Sequence, residues 1–281
     1  MSGRTRIGPA VFEWGTRTFV MGILNITPDS FSGDGLLAKG VAAAVAQARA
    51  MVEEGADLLD IGGESTRPGH PPVDEDEELR RVIPVVRAVR VALPGIPLTI
   101  DTTKPTVAGA ALDAGADAIN DVWGVDPERG LSRLAASRKV PIVLMHNRAE
   151  PRYTDLVGDV VADLRRAVEA ALAAGVDESN VLVDPWIGFG KTADQNLELL
   201  RRLHEVRALG RPILLGTSRK STLGKVLDLP PSERLEATLV TTALGIAAGV
   251  DIVRVHDVAA NMRAARMADA IVRGTWHEVQ A

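Results

Sequence analysis

The chain of 281 residues contains no cysteine, so disulfides, thiolate zinc sites and cysteine nucleophiles are all excluded. This composition fits a reducing compartment. Aromatic residues are also scarce, with 4 Phe, 4 Trp and 1 Tyr, and the formal net charge is −5. A polynucleotide needs a basic surface with rings on which its bases can stack. We therefore expect no nucleic-acid partner.

Long apolar segments are missing as well. The amino terminus carries charges at Arg4, Arg6 and Glu13, and it lacks the uninterrupted apolar segment of a secretory signal. The longest stretch without a charged residue, 237–250, is shorter than the roughly 20 residues that a membrane-spanning helix needs. The sequence therefore predicts a cytoplasmic protein without a membrane segment.

A recurring sequence pattern indicates alternating helices and strands. At four places a helix-like run ends in Gly, a small residue and Asp, and a short apolar stretch follows. Glycine favours the left-handed conformation that ends many helices, and a short apolar run bounded by turn signals is typical of a buried strand. The four copies are Gly55-Ala56-Asp57, Gly115-Ala116-Asp117, Gly175-Val176-Asp177 and Gly249-Val250-Asp251.

Extended along the chain, this pattern predicts eight strands, each followed by a helix. Eight such units in under 300 residues favour an α/β fold of the (β/α)8 TIM-barrel type over an open doubly wound sheet. Residues 7–18 are expected to form a short N-terminal β-hairpin below the barrel, and Pro84 predicts a kink in the second helix or two short helices. Because no linker is visible, we interpret 1–281 as one domain. The predicted strands are 19–25, 57–62, 97–101, 117–121, 140–145, 181–185, 212–217 and 251–255. The predicted helices lie near 37–54, 73–92, 104–114, 129–138, 155–174, 194–208, 232–248 and 257–273.

Acids and amides stand at the carboxyl ends of four predicted strands, where barrel enzymes carry their chemistry. Strand three ends in Asp101, strand four in Asn120-Asp121, strand five in 145–147 (Met-His-Asn) and strand six in Asp184. Such side chains can pair with the donor and acceptor edge of a heterocycle. They can also bind a hard cation such as Mg2+. Buried carboxylates need a positive or donor-rich partner, and Lys220 after strand seven is the expected internal one.

A second group of strand-end residues is basic. Arg254 and His256 share one face of strand eight by alternation, and Arg67 follows strand two. Together they suit a phosphate or diphosphate. The structural alternative is a histidine capped by a neighbouring Asp and an arginine paired with a carboxylate. Asn25 ends strand one and leads into a long glycine-containing loop, which can close over a ligand.

One motif does not hold. Gly190-Lys191-Thr192 resembles the end of a Walker A loop, but Pro185 stands where that motif requires its first glycine. We therefore exclude a nucleoside triphosphatase of this type.

Six segments, in order along almost the full length, resemble the dihydropteroate synthase family. Any one of them is moderate evidence, whereas six in register are very strong. The resemblance implies a (β/α)8 barrel, usually a homodimer, that joins 4-aminobenzoate to the methylene carbon of 6-hydroxymethyl-7,8-dihydropterin diphosphate and releases pyrophosphate with Mg2+. The segments are 20–35 (VMGILNITPDSFSGDG), 60–69 (DIGGESTRPG), 100–104 (IDTTK), 184–192 (DPWIGFGKT), 216–221 (GTSRKS) and 254–258 (RVHDV).

Site roles follow from the resemblance, position by position. Mg2+ falls to Asn25 together with oxygens of the substrate. The implied catalytic residues are Asp101, Lys220, Arg254 and His256. The pterin ring is implied to lie against Asp101, Asn120, Asp184 and Lys220, with Met145 packing nearby; the diphosphate against Arg67, Arg254 and His256; and the aminobenzoate against Thr66, Pro68, Phe189 and Ser221.

The implied reaction agrees with these residue types. An aromatic amine is unprotonated near neutral pH, so its attack needs neither a strong general base nor a protein nucleophile. Departure of pyrophosphate is the difficult step, and two arginines, a histidine and Mg2+ would stabilise it electrostatically. The pterin ring can stabilise a cationic methylene group, and Asp101 and Asp184 favour that charge. We therefore expect a dissociative, SN1-like displacement.

One departure from the family pattern bears on the site. Trp186 stands where the family usually has glycine, and a bulky residue is expected to alter the sixth loop if that glycine has a positive φ.

Two other functions compete with the synthase reaction. A corrinoid-dependent pterin methyltransferase would resemble this barrel but would not need the basic cluster, and a non-catalytic pterin-binding paralogue would not need the complete strand-end set.

Overall fold

The strands form a two-stranded hairpin and an eight-stranded parallel sheet in the computed structural model, which describes residues 3–27, 40–64, 73–188 and 190–276. The hairpin consists of β1 (Gly3–Ile7) and β2 (Ala10–Trp14). The sheet consists of β3 (Phe19–Asn25), β4 (Leu58–Gly62), β5 (Leu98–Asp101), β6 (Ala118–Asp121), β7 (Ile142–Met145), β8 (Val181–Asp184), β9 (Leu214–Leu215) and β10 (Ile252–Val255).

The parallel sheet curves into a barrel. Its strand order is β8-β7-β6-β5-β4-β3-β10-β9, and a parallel bridge between Val183 and Ile213 joins the two ends of that order. A helix or helices follow each strand, so the predicted (β/α)8 barrel is confirmed. The helices are α1 (Gly40–Glu53), α2 (Glu75–Ala92), α3 (Pro105–Ala114), α4 (Leu131–Arg138), α5 (Leu156–Ala173), α6 (Ala193–Arg201), α7 (Ser221–Leu227), α8 (Leu235–Ala247) and α9 (Val258–Arg273).

Two helical segments differ from the sequence-based expectation. Helix α2 runs through Pro84 without dividing, so the alternative of two short helices was wrong. Pro84 is exposed, while Val82, Val86 and Val89 on the barrel side of α2 are buried, and burial of this valine face holds the helix together despite the proline. The short helix α7 is not among the helices that the repeating pattern predicts, which include none between 208 and 232. Among the described residues, we find no helix with the length and apolarity to cross a membrane.

The repeated Gly-x-Asp pattern has a clear structural role. All four glycines adopt the left-handed conformation at the end of a helix, with φ between 96° and 117°. Three of the aspartates then accept a backbone N–H from the neighbouring strand of the barrel: Asp57 from Val20 (2.8 Å), Asp117 from Leu98 (2.9 Å) and Asp251 from Ile213 (3.0 Å). The pattern therefore ends each helix and sets the position at which the next strand enters the sheet.

The hairpin closes the bottom of the barrel. It begins earlier than predicted, at Gly3, and β1 pairs antiparallel with β2. Phe12 and Trp14 are buried against Phe19 at the start of β3, with ring centroids 4.8 and 5.6 Å from that of Phe19. Their cluster includes apolar side chains from the lower barrel strands, such as Leu182. The hairpin thus supplies the lower layer of the core and leaves the opposite, carboxyl-terminal mouth for ligands.

This packing predicts the effect of removing one ring. Replacing the buried Phe12 with Ala should lower the free energy of unfolding by about 3–5 kcal/mol, because it leaves a cavity under the barrel. Val11, the preceding residue of β2, is 43% exposed, so Val11→Ala is a matched control with little effect. Urea denaturation measures both. A Phe12→Ala protein as stable as the control would contradict this role of the hairpin.

Candidate functional site

An arginine connects the carboxylates of two neighbouring strands at the barrel mouth. Arg254 in β10 donates through Nε to Asp60 Oδ2 of β4 (2.5 Å) and through Nη2 to Asp101 Oδ2 of β5 (2.7 Å). Arg254 and Asp60 are both buried, so the two charges compensate each other in a region of low dielectric. The arginine is therefore paired with carboxylates, as the structural alternative had it, and it holds the Asp101 side chain in place.

Asp60 was not among the residues predicted from the sequence. Besides Arg254, it accepts hydrogen bonds from the hydroxyl of Thr99 and from Nδ2 of Asn120, the latter at 3.0 Å. The available signal was a carboxylate inside an otherwise apolar strand, Leu58–Gly62 (LLDIG), since a buried charge requires a partner. Asp60 thus links β4 to β5, β6 and β10 under the mouth.

Three predicted site residues present unmet hydrogen-bond acceptors. Asp101 Oδ1, Asn120 Oδ1 and Asp184 Oδ2 are buried and have no hydrogen-bond partner among the residues that the structure describes. They come from the ends of three strands, β5, β6 and β8. Buried acceptors in native proteins are nearly always satisfied, so this set fits a ligand that carries several N–H donors.

Burial shifts the pKa values of Asp101, Asp184 and Lys220. Burial raises the pKa of Asp101 to about 7, although the positive charge of Arg254 lowers it. Burial likewise raises the pKa of Asp184 to about 6, although the positive charge of Lys220 lowers it. Burial lowers the pKa of Lys220 to about 7, against the opposing charge of Asp184. A ligand that donates hydrogen bonds to the carboxylates would favour their ionised form.

Lys220 lies at the same mouth as these carboxylates. Its Nζ donates to the carbonyl oxygen of Ile187 and lies 4.0 Å from the ring centroid of Trp186. The negative charges of Asp184 and Asp101 favour its protonated form. Arg254 makes the direct hydrogen bonds to Asp60 and Asp101.

Met145 also lies where it was predicted. It is fully buried in a small apolar cluster with Val122 and Trp186, separate from the main core. Trp186 has φ 52°, so the position suspected of needing a left-handed conformation does have one. The indole of Trp186 therefore lies beside the ammonium group of Lys220.

His256 and Asn25 face each other across neighbouring strands. The His256 Nε2 atom is 3.4 Å from Nδ2 of Asn25, and its Nδ1 atom is 2.9 Å from Oγ of Ser218. The neighbouring Asp257 binds Arg219 through both carboxylate oxygens. His256 is therefore oriented at the mouth by Ser218.

Protein oxygen atoms at this mouth could supply only some of the ligands that a metal ion needs. Within the described ranges, no group of three or more His, Asp or Glu side chains could enclose a metal ion. With its Nδ2 toward His256, Asn25 has its amide oxygen available as a single ligand. Mg2+ keeps several waters and commonly binds one or two protein oxygens together with substrate phosphates. The donor set therefore fits Mg2+ delivered with a diphosphate.

His146, predicted at the rim, belongs to a separate buried network instead. Its Nε2 atom is 3.0 Å from Asp163 Oδ2 on α5, and its Nδ1 atom is 3.0 Å from Nζ of Lys191. Lys191 also donates to the carbonyl oxygen of Trp186 (3.0 Å). Asp121 also has a structural role, because its carboxylate accepts a hydrogen bond from the backbone N–H of Trp123 (3.0 Å) in the turn after β6.

The remaining predicted residues divide into two groups. Ser221 is exposed at the first residue of α7. Thr66, Arg67, Pro68 and Phe189 lie outside the described residues.

Comparison with known proteins identifies close relatives. Residues 21–256 match the family model of pterin binding enzymes. The dihydropteroate synthase of Clostridium beijerinckii is 49% identical over 269 residues, which are 95% of this chain and 99% of that protein. A dihydropteroate synthase from Clostridium difficile, crystallised in the presence of pteroic acid, has a TM-score of 0.88 at 49% identity over 93% of this chain and 99% of that one. The Xanthomonas albilineans enzyme with 4-aminobenzoic acid has a TM-score of 0.89 at 41% identity, over 96% and 98%.

The central ion pair can be tested by stability. Replacing Asp60 with Ala leaves the buried guanidinium of Arg254 short of one carboxylate, so the free energy of unfolding should fall by roughly 3–5 kcal/mol. Arg80 pairs with Glu77 on the surface, with 71% of its side chain exposed, and Arg80→Ala should change stability little. Urea denaturation compares the two. Equal stability of both variants would show that Asp60 does not support the site.

Proposed function

The chain belongs to the dihydropteroate synthase family of pterin-binding enzymes, and we propose that the mouth of its barrel holds both substrates of that reaction. The enzyme is a transferase of folate biosynthesis. It condenses 4-aminobenzoate with 6-hydroxymethyl-7,8-dihydropterin diphosphate to give 7,8-dihydropteroate and pyrophosphate. The comparisons favour this activity over the pterin methyltransferase and the non-catalytic paralogue.

The pterin ring is assigned to the three unmet acceptors. A pterin carries an amino group and ring N–H donors along one planar edge, and Asp101 Oδ1, Asn120 Oδ1 and Asp184 Oδ2 are buried acceptors from neighbouring parts of the barrel. Lys220 supplies a complementary donor beside them, and Met145 supplies apolar contact. This acceptor set is the single observation that carries the assignment, because no protein donor among the described residues satisfies it.

The diphosphate is assigned to the basic side of the mouth. Arg254 and His256 lie on it, and Arg67 is proposed to join them. Asn25 is proposed to contribute its amide oxygen to Mg2+; dihydropteroate synthases use a divalent metal ion. When bound, Mg2+ would add positive charge to the diphosphate oxygens.

The aminobenzoate is assigned to the loops around the mouth. The proposed contacts are Thr66, Pro68, Phe189 and Ser221, of which Ser221 is exposed and accessible at the start of α7. The Xanthomonas relative was solved with 4-aminobenzoic acid, which supports a site for this substrate in the shared barrel.

The electrostatics of the site favour a dissociative displacement. As the C–O bond breaks, negative charge collects on the leaving pyrophosphate, where Arg254 and His256 stabilise it. Positive charge collects on the pterin methylene group, and the carboxylates of Asp101 and Asp184 stabilise that charge in a region of low dielectric. The amine then attacks the methylene carbon and loses its proton to solvent. We propose Asp101, Lys220, Arg254 and His256 as the catalytic residues.

Two adjacent helices expose large apolar side chains. Helix α8 exposes Val240 and Leu244, and α9 exposes Met267 and Ile271, each between 57 and 72%. The two helices contact each other, so these residues form an apolar patch of the kind that marks an interface. We propose a homodimer of one-domain subunits that meet through this patch, which lies on the outer helices and leaves the mouth open.

The site assignment is tested by removing its cations. Lys220→Met and Arg254→Ala should each lower the rate of pyrophosphate release from the two substrates about 10²–10³-fold, because each removes a preorganised donor. Lys225→Ala, an exposed lysine on α7, should leave the rate unchanged. The assay is run with and without Mg2+. Rates equal to that of the control in both site variants would refute the catalytic roles of Lys220 and Arg254.

The assembly is tested by sedimentation. A charge within the apolar patch should weaken association, so Ile271→Asp is expected to sediment as a monomer at a concentration at which the unmodified protein is a dimer. Val91 on α2 is 83% exposed and lies outside the patch, and Val91→Asp should leave the dimer intact. If Ile271→Asp remains dimeric, the interface lies elsewhere.

A further inference from the structure

Trp186 has an unusual backbone conformation for a bulky residue. Its φ of 52° lies in the left-handed region, which aromatic residues seldom occupy. Such a conformation persists where the surroundings determine it from several sides. The backbone N–H of Trp186 donates to Asp184 Oδ1 (2.7 Å), and the backbone carbonyl oxygen of Trp186 accepts from Lys191 Nζ (3.0 Å). The peptide groups on both sides of the residue are therefore held.

The carbonyl contact is part of a buried chain of hydrogen bonds. Lys191 is buried and contacts Nδ1 of His146, and His146 contacts Asp163 on α5. Burial lowers the pKa of His146 to about 4, so the ring is neutral near pH 7. A neutral ring that accepts from Lys191 at Nδ1 donates to Asp163 at Nε2. The network thus ties the loop after β8 to helix α5.

The indole of Trp186 lies against Lys220. It is 2% exposed, with Met145 and Val122 in its cluster, and its ring centroid is 4.0 Å from Lys220 Nζ. A cation at this distance over an indole face is attracted by the ring quadrupole, and the attraction increases as water is excluded.

Lys220 is confined on its other sides too. Its ammonium group donates to the carbonyl oxygen of Ile187. Its stem runs past Gly188, where an added Cβ would lie 3.3 Å from Lys220 Cδ, and its ammonium group lies near Gly216, where an added Cβ would lie 3.8 Å from Nζ. The two glycines leave space for the lysine, and the indole forms a wall of that space.

We propose that Trp186 is a positioning residue: its indole face and the Ile187 carbonyl together hold the ammonium group of Lys220 where it meets the pterin ring. The inference rests on the proposed role of Lys220 in binding the pterin. The hydrogen bonds to Asp184 and Lys191 fix the indole in turn. The ring thereby couples the His146–Lys191 network to substrate binding without acting on the reacting atoms.

Steady-state kinetics with each substrate varied separately tests the proposal. Trp186→Leu should raise the KM for the pterin diphosphate about tenfold while leaving the KM for 4-aminobenzoate unchanged. Trp186→Phe retains an aromatic face and should bring the pterin KM back to within about threefold. Trp186→Gly removes the ring without straining the backbone, so it serves as a second variant if the leucine variant folds poorly. Circular dichroism and the thermal midpoint confirm folding.

A matched control and a double variant separate positioning from structure. Trp123 packs beside the same apolar cluster, but its cation partner is Arg129, and Trp123→Leu should leave both KM values unchanged. If Trp186 acts through Lys220, adding Trp186→Leu to Lys220→Met should raise the pterin KM no further. Equal increases in both KM values, or a phenylalanine variant as impaired as the leucine variant, would overturn the proposal.

The same kinetic data show whether the positioning role of Trp186 fails alone or together with the proposed role of Lys220. If Lys220→Met raises the pterin KM and Trp186→Leu and Trp186→Gly do not, only the positioning role is wrong. If Lys220→Met itself leaves the pterin KM unchanged, the role of Lys220 is wrong and the inference fails with it.

Discussion

The site depends on how several carboxylates are kept buried at the end of a parallel barrel. Asp60, Asp101 and Asp184 come from three different strands, and isolated negative charges would be costly there. Arg254 compensates two of them through direct hydrogen bonds, and Lys220 acts on the third through charge. Because these contacts join strands that are distant in sequence, the closed barrel is what assembles the binding site.

In the proposed mechanism, this arrangement takes the place of a protein nucleophile. The acids and the cations form two sides of one mouth, so the site can stabilise separated positive and negative charge as the leaving group departs. The carboxylates keep acceptor atoms unused by the described residues, and these atoms can receive the donors of a planar heterocycle. In the proposed assignment, the buried charges that are costly for folding also bind the pterin, as is common at functional sites.

Much of the fold and part of the site could be predicted from local sequence. The Gly-x-Asp repeats carry their own structural cause, since the glycine ends a helix and the aspartate receives the neighbouring strand. The strand pattern also indicated that Asp101, Asn120 and Asp184 lie at the carboxyl ends of β5, β6 and β8. Asp60 was missed because its partners come from β5, β6 and β10 and depend on barrel register. His146 was misplaced by a single step of alternation, which turned it from the rim toward α5.

Other features depend on contacts that no local pattern contains. Helix α7 is short, and the glycine, serine and charged residues before it resemble a loop. The pairing of Arg254 with Asp60 and Asp101 depends on which side chains reach across the mouth. The left-handed conformation at Trp186 was anticipated from the family's glycine, but its contact with Lys191 was not, because the sequence does not show which side chains meet in the loop after β8.

The most direct measurement of the central claim is a crystal structure of this protein with the pterin substrate or dihydropteroate bound. We expect ring and amino N–H groups of the pterin within hydrogen-bonding distance of Asp101 Oδ1, Asn120 Oδ1 and Asp184 Oδ2, with Arg254 still joined to Asp60. A pterin bound elsewhere, with those three oxygens contacting only water or protein, would contradict the assignment.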